Sequence, residues 1–449
     1  MKNLSRRTFL KSSAAASIGF TFIPNFISAA PSDQLRIAMI GVGGQGRASW
    51  SQVPVESLVA MVDVDDRMSQ QAKRAVPDAK WYYDYRRMFD EMKNEFDAVM
   101  VATPDHSHFP AAMSAMELGK HILVEKPLAH NIWQLRTLKK AAKYYKVVSQ
   151  MANQGHTTNG IRQVKEWYEA GVLGQVREVI AWQGKINYER DTYFQKPDSF
   201  PPAAEPVPNG LNWDLWQGPT AERPYSKYYV PRTWRGFYDY GNGKLGDWCC
   251  HTLDAPYWAL DLGVPESAEA ELKNSVPDHS FVSDESVVTW KFAARGDKAP
   301  VTMKWYEGFD VPKVRPEWGV DQLPGSGMIM IGDKKTLITG VRPERPRLLV
   351  PEEESEAFMN NLPAQKYPRI GENKPVQEWV DCIKNGTLPG SNFDYSASLM
   401  EACQVGILAQ RFGGKIDYDA ENMKAKGRPE LDKYIKEPMR AGWVHGENL

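Results

Sequence analysis

Net charge is almost absent from this chain: 55 Lys and Arg stand against 56 Asp and Glu, leaving −1 at pH 7. That removes the basic footprint through which a nucleic acid or an anionic membrane would be recognised. Cysteine is scarce, four residues in 449, and its placement does not describe a disulfide framework. Cys249 and Cys250 are adjacent in a helical pattern, and Cys382 and Cys403 fall in two others. An oxidising compartment permits a Cys382–Cys403 bridge, which the sequence leaves open. No paired cysteine spacing supplies a zinc site. Beyond the first thirty residues no apolar run reaches eighteen, so no stable membrane insertion is expected of the mature chain. Internal repeats are lacking, and the one biased segment is the short acidic run at 352–354.

What is there begins with ordinary globular composition, 42% hydrophobic and 25% charged. At 449 residues the chain is too long for one core, which predicts two domains. Fifteen Trp and nineteen Tyr suit either the lining of a sugar pocket or the filling of a β-rich core. Residues 5–11, Ser-Arg-Arg-Thr-Phe-Leu-Lys, precede a short apolar run at 14–27 and the small residues Ser28, Ala29 and Ala30. This pattern predicts a twin-arginine signal peptide over 1–30, cleaved after Ala30, and a periplasmic or secreted protein. Because that route exports folded proteins, the cofactor would be acquired inside the cell.

The mature chain opens with a β-rich run at 34–40, followed at once by Gly41-Val-Gly43-Gly44-Gln45-Gly46. This is G-x-G-x-x-G between a strand and a helix, where the glycines allow a tight turn, close approach of a pyrophosphate and close helix packing. A second strand at 57–62 ends at Asp63. A carboxylate there accepts from ribose hydroxyls and repels a 2′-phosphate, so NAD is favoured over NADP, with Asp65 as a substitute for the role. Further strands end at Thr103-Pro104-Asp105-His106-Ser107-His108 and at Glu125-Lys126-Pro127, and another spans 146–151. Strands alternating with helices at this spacing predict a parallel, doubly wound Rossmann sheet over 34–152. Ligands in such sheets sit where Asp63, Thr103 and Lys126 fall, at the carboxyl ends of strands.

These motifs, with Asn153-Gln154-Gly155-His156 and Gly246-Asp247-Trp248-Cys249-Cys250-His251, resemble the Gfo/Idh/MocA family across essentially the whole mature chain. Residues 210–219 and 231–235 also resemble an exported bacterial subgroup. The resemblance implies cofactor contacts from Gly41, Gly43, Gly44, Gln45, Gly46, Asp63, Thr103, Pro104, His106, His108, Glu125, Lys126, Asn153 and Gln154. It implies catalysis by Lys126, Asp247 and His251. It also implies a second domain built on an open, mostly antiparallel β-sheet whose exposed face makes an oligomer, a homodimer or homotetramer.

The residues support that chemistry on their own terms. Asp247 and His251 are four apart and share a helix face. An imidazole accepts a hydroxyl proton near neutral pH, Asp247 orients it or holds substrate, and Lys126 polarises the substrate oxygen. The same pair could instead be a surface ion pair, or a metal site with Asp254 and Cys250; no metal is expected. Asn153, Gln154 and His156 fall where the chain crosses between domains. There Gln154 and His156 either meet the nicotinamide amide and substrate hydroxyls or cap a turn. His156, Arg232, Trp234 and Arg235 are the substrate-binding candidates, the last three within an aromatic, cationic stretch that also holds Tyr238 and Tyr240. Residues 153–421 form the second domain, with strands at 285–292 and 301–306, and the charged tail at 422–449 is free to wrap a neighbour. The expected function is hydride transfer between a tightly bound NAD and a secondary hydroxyl of a sugar, polyol or glycoside. One alternative is NAD-retaining glycoside hydrolysis by oxidation, elimination, hydration and reduction; another is non-catalytic sugar binding.

Overall fold

The computed structural model describes residues 34–184, 191–308 and 312–449, so the signal segment expected at 1–30 lies outside the described residues. Six short strands come first: β1 (Ile37–Ile40), β2 (Leu58–Val62), β3 (Lys80–Tyr82), β4 (Ala98–Val101), β5 (His121–Val124) and β6 (Ser149–Met151). They pair in the order β3-β2-β1-β4-β5-β6, every pair parallel. β1 and β4 are buried along their whole length, as strands covered by helices on both faces must be. The order reverses beside β1, and that reversal opens a crevice at the carboxyl ends of β1 and β4.

The second sheet holds β7 (Val176–Gln183), β8 (Ser267–Lys273), β9 (Glu285–Phe292), β10 (Val301–Glu307), β11 (Gly327–Gly332), β12 (Thr336–Thr339), β13 (Arg347–Leu348), β14 (Gly414–Asp419) and β15 (Lys424–Lys426). Its order is β13-β12-β11-β7-β10-β9-β8-β14-β15, antiparallel except where β7 meets β10. β9 alternates buried Ser286, Val288, Trp290 and Phe292 with more exposed residues, the pattern of a sheet with one face on the core. That face is covered by the helix Phe393–Phe412, capped by Asn392 and buried over most of its length. Trp290 Nε1 donates to Ala402 O at 2.9 Å on one side of this helix. On another side Arg136, from the first domain, pairs with Glu401 at 2.5 Å. One hydrophobic cluster consequently runs through both domains, which fixes the crevice walls against each other.

The tail returns along its own chain. After β15, Glu437 Oε2 meets His130 Nδ1 at 2.7 Å and Arg440 donates to Gly218 O at 2.8 Å. Trp443 sits under the Arg86 guanidinium, 4.2 Å from it, and against the Tyr85 ring. Cys382 and Cys403 are both free thiols, so the bridge left open by the sequence is not made. Among the described residues no helix is long and apolar enough to cross a membrane.

Candidate active site

The glycine turn is dictated by contact. Gly41 has φ +82, and a Cβ on it would stand 2.6 Å from Ala102 O; a Cβ on Gly46 would stand 2.0 Å from Gly41 O. Any side chain at either position would push the helix Gln45–Trp50 off the strand ends and close the cradle a pyrophosphate needs. Asp63 closes the turn from the next strand. Its carboxylate accepts from the Val42 and Asp65 amides, both at 3.0 Å, and burial pushes its pKa up to about 6. Asp65 lines the groove too, but its carboxylate is committed within its own turn. It is buried, accepts from Arg67 N to cap the helix Asp66–Ala75, and pairs with the Arg67 guanidinium at 2.5 Å.

Glu125 and Lys126, though adjacent, serve opposite ends of the site. Glu125 accepts from Ser49 Oγ at 2.6 Å and Gln45 Nε2 at 3.2 Å, bracing the glycine-loop helix. Its second oxygen, Oε2, is buried without a partner. Lys126 reaches across to the second domain, donating to Asp247 Oδ1 at 2.5 Å and Asp247 O at 3.2 Å. Arg235 Nε lies 3.7 Å from the same carboxylate oxygen. Burial alone would raise Asp247, but the Lys126 and Arg235 cations overcome it and hold the group down at about 2. Burial likewise opposes charge on Lys126, and Asp247 more than offsets it.

Asp247 and His251 share the helix Gly243–Thr252 as expected, but the carboxylate bonds Lys126 and makes no hydrogen bond to the imidazole. His251 is 1% exposed, and neither ring nitrogen has a partner. Burial, with the Lys126 and Arg342 cations adding to it, keeps its pKa well below the usual histidine value. A neutral imidazole with a free nitrogen, one turn from an ammonium–carboxylate pair, leaves a lone pair open to accept a proton.

The groove, about 370 Å³, is lined by Gly41, Gly43, Gly44, Gln45, Asp63, Thr103, Pro104, Glu125 and Lys126 among the expected cofactor residues. Arg232, Trp234 and Arg235 line it from the second domain, and the Arg235 guanidinium sits 4.3 Å from the Trp234 ring and 4.8 Å from Tyr193. Four expected residues turn away. His106 places its ring nitrogens on Tyr240 O and Trp216 O at 3.3 and 2.9 Å. His108 spans Pro127 O and Thr103 O at 2.7 and 2.8 Å. Both lash strand-end loops together through ring nitrogens committed to backbone carbonyls. Asn153 is fully buried and joins Cys250 O, Asp254 and Ser391. His156 packs, tilted, against Tyr395 and Trp258 with Nδ1 3.0 Å from Asp254 Oδ2, buried in the interior rather than lining the groove. Gln154 is half-buried, its Oε1 enclosed without a partner.

Asp254 is the hub of that interior network, also accepting from Tyr395 Oη at 2.5 Å. Its bonds point away from Asp247 and His251, so the four-residue metal arrangement does not form. Among the described residues no cluster of His, Cys, Asp and Glu is placed to hold a metal ion. Sequence reasoning assigned no role to Asp105, Tyr193 or Trp443, all of which line the groove. Asp105 accepts from the Asn242 amide and side chain, both at 3.2 Å, and burial pushes it up to about 6. A lone Trp in a polar tail was the available signal for Trp443.

A family model described as "Oxidoreductase family, NAD-binding Rossmann fold" (GFO_IDH_MocA) matches residues 35–153. Its companion, "Oxidoreductase family, C-terminal alpha/beta domain", matches 157–297, and together they span more than half of the chain. A levoglucosan dehydrogenase of Pseudarthrobacter phenanthrenivorans is 24% identical over 262 residues, covering 56% of each chain. A glycosyl hydrolase family 109 protein of Saccharopolyspora erythraea is 29% identical over 38% of this chain and 44% of its own. The chain thus spans about half the length of these curated relatives. Among solved structures, an inositol dehydrogenase homolog from Azotobacter vinelandii, complexed with NADH and myo-inositol, superimposes with a TM-score of 0.56 at 17% identity. It covers 86% of this chain and 98% of its own, a likeness of fold.

Proposed function

We propose, for a chain that belongs to the Gfo/Idh/MocA oxidoreductase family, that it is an oxidoreductase acting on a secondary hydroxyl of a sugar, polyol or glycoside with a tightly held NAD. One observation carries the reading: Lys126, which lines the same groove as the glycine turn, bonds Asp247 on the helix that also bears the unpartnered His251. The residues fit the cofactor. The cradle admits no Cβ at Gly41 or Gly46, and Asp63 stands at the strand end where ribose hydroxyls are received. When bound, the nicotinamide supplies the hydride acceptor or donor.

The rest is the work of the chain's own groups. His251 takes the hydroxyl proton onto a free ring nitrogen, which its lowered pKa keeps unprotonated at neutral pH. Lys126 directs its ammonium at the substrate oxygen and stabilises negative charge there. Asp247, held ionised, keeps that lysine charged and aimed. Trp234, Tyr193 and the two arginines give a polar ring a face to stack on and donors at its edge.

Tight retention is supported by the way the second domain straps the nucleotide edge. Asn212 N donates to Val64 O and Asp66 N to Gly210 O, both at 2.8 Å, and Trp443 closes the wall behind them. An exported enzyme needs such a strap, since free NAD is scarce outside the cell. Export rests on the Ser5-Arg6-Arg7 pattern and is checked by whether Arg6→Lys with Arg7→Lys leaves the protein in the cytoplasm. A homodimer or homotetramer is supported by the half-buried outer face of β9 and β10, with Val287, Thr289, Thr302, Lys304 and Tyr306, and is checked by solution mass.

The test uses protein 31–449 purified without added cofactor. Denaturation should release NAD(H) in about equimolar amount, and sugars or their keto derivatives should change the bound nicotinamide absorbance. No retained nucleotide, and no binding when NAD is supplied, would overturn the reading. A second reading is favoured by the glycosyl hydrolase relative: oxidation acidifies the adjacent C–H, elimination expels the aglycone, and hydration and reduction complete a redox-neutral hydrolysis. Glycoside cleavage with no net redox change would select it. Substrate binding unaccompanied by any turnover, and indifferent to Lys126→Ala, would select a sugar-binding protein instead.

A further inference from the structure

One carboxylate in the groove takes no part in the chemistry described above. Asp105 stands on the turn after β4 and lines the groove with Lys126, Tyr193, Trp234 and Arg235. It is 5% exposed, and it forms no ion pair among the described residues. The two cations that share the groove wall with it, Lys126 and Arg235, are directed at Asp247 instead.

The two oxygens of Asp105 are treated differently. Oδ2 accepts from the backbone amide and the side-chain Nδ2 of Asn242, both at 3.2 Å. Asn242 is held in turn by Gln404, whose Nε2 donates to its Oδ1 at 2.8 Å. Both amides are buried, one at the entry to the helix Gly243–Thr252 and the other within the helix Phe393–Phe412. A first-domain carboxylate is thus oriented by the second domain. Asp105 Oδ1 accepts from nothing among the described residues, and it is not enclosed as the unpartnered oxygens of Glu125 and Gln154 are. An acceptor fixed through one oxygen and open through the other, on a groove wall, is preorganised for a donor brought by a ligand.

The charged groups that face Asp105 come from three places: Arg235 ahead of the catalytic helix, Asp247 on it, and Lys126 and His130 after β5. The imidazoles of its own turn, His106 and His108, are committed to backbone carbonyls. Burial outweighs the cations and raises the Asp105 carboxyl to about 6, so it is ionised above that pH and a neutral acid below it.

We propose that Asp105 is a substrate-binding residue whose Oδ1 accepts a hydrogen bond from the hydroxyl adjoining the one that is oxidised, while Lys126 donates to the reacting oxygen. One acceptor and one donor then read two neighbouring hydroxyls of a ring. A free vicinal diol is required, and a ring that is deoxygenated or O-methylated at the neighbouring carbon is rejected. This rests on the oxidoreductase reading and adds a specificity determinant to it.

The experiment uses holoprotein with myo-inositol and the methyl glucopyranosides and galactopyranosides, following reduction of the bound nicotinamide against sugar concentration. The parent that reacts fastest is then compared with those of its monodeoxy derivatives that still react. One derivative, lacking the neighbouring hydroxyl, should need a roughly ten- to hundredfold higher half-saturating concentration, with a smaller change in limiting rate. Asp105→Asn leaves a carbonyl for Asn242 and turns a donor toward the groove. It should raise half-saturation by a similar factor for the parent and scarcely at all for that derivative. In the wild-type protein half-saturation should climb as pH falls through about 6 for the parent and not for the derivative. Titration of Asp63 acts on both sugars alike and cancels in their ratio. That comparison needs no variant and carries the test should Asp105→Asn not fold, which its melting midpoint reports. A parent-to-derivative ratio that ignores both pH and Asp105→Asn overturns the assignment while the oxidoreductase reading stands. Loss of retained NAD from folded Asp105→Asn overturns it too, by giving Oδ1 to the cofactor. If no parent changes the nicotinamide absorbance, both readings fall together.

Discussion

Asp63 and Glu125, at the glycine-loop end of the groove, arrive with hydrogen bonds already made to the Val42 and Asp65 amides and to Ser49 and Gln45. His251, on the second-domain helix whose Asp247 bonds the groove-lining Lys126, is buried and has none. The difference follows what each end must do. A cofactor site that keeps its occupant works best preorganised, with donors and acceptors fixed before binding. A proton acceptor must keep a lone pair free, and every bond it makes in the resting fold would have to break. An imidazole with neither nitrogen satisfied costs about 1–3 kcal/mol of lost hydrogen bonding, a cost that a proton acceptor's role would justify. His156, by contrast, commits its Nδ1 to Asp254.

That contrast fails if His251 is a core residue after all. His251→Ala should lower turnover by roughly 10²–10⁴-fold, the range of a lost general base, while leaving retained NAD and the melting midpoint close to wild type. A large stability loss with unaltered turnover would reverse the assignment. Asp254→Ala should do the opposite. It strips the shared acceptor from His156, Asn153 and Tyr395. Leaving those buried donors unpaired should cost about 3 kcal/mol in denaturant unfolding, with cofactor chemistry impaired only as the fold loosens.

Asp63 tests the preorganised end. Asp63→Ala removes a charged acceptor of ribose hydroxyls and should weaken NAD binding by roughly tenfold or more, with NADP losing less. The pH dependence has a definite sign. Burial raises this carboxyl to about 6, so it is ionised above that pH and protonated below it. NAD affinity should fall as pH drops through about 6, and that component should vanish in Asp63→Ala. Affinity flat from pH 5 to 8 would detach Asp63 from the ribose.

The two ends also differed in how far the sequence disclosed them. The Rossmann sheet was legible because its rules are local: strand, glycine turn, helix, and a carboxylate at the next strand end. Asp247 and His251 were legible because four residues on a helix fix a shared face. What escaped depended on distant chain. Nothing within the stretch 102–108 says that His106 and His108 will be consumed by carbonyls of Trp216, Tyr240 and Pro127 while Asp105 lines the groove. His156 and Asn153 were misread for the same reason, since their partner Asp254 lies almost a hundred residues on. The capped turn weighed for Gln154 and His156 is not what forms either, since the side chain that caps the following helix is Thr158.

The smallest expected effect falls on the tail, which joins the preorganised end from furthest away. Arg440 donates to Gly218 O and pairs with Asp214 at 2.7 Å, holding the strap that lies over the nucleotide edge. Trp443 packs behind it against Tyr85 and Arg86 and forms part of the groove wall. Neither residue lines up with the reacting end, so neither should alter the proton transfer. What they oppose is opening of the strap, and a stacked indole and one charged pair contribute about 1–2 kcal/mol to that. Trp443→Ala with Arg440→Ala should accordingly speed loss of bound NAD several-fold, measured by chase against excess labelled NAD, and leave turnover at saturating cofactor within twofold. If release is unchanged, retention resides in the strap's own bonds to Val64 and Asp66, and the tail merely covers them. If turnover falls as well, the two ends of the groove are coupled through this wall, and the division between a prebuilt cofactor site and an open reactive site is too sharp.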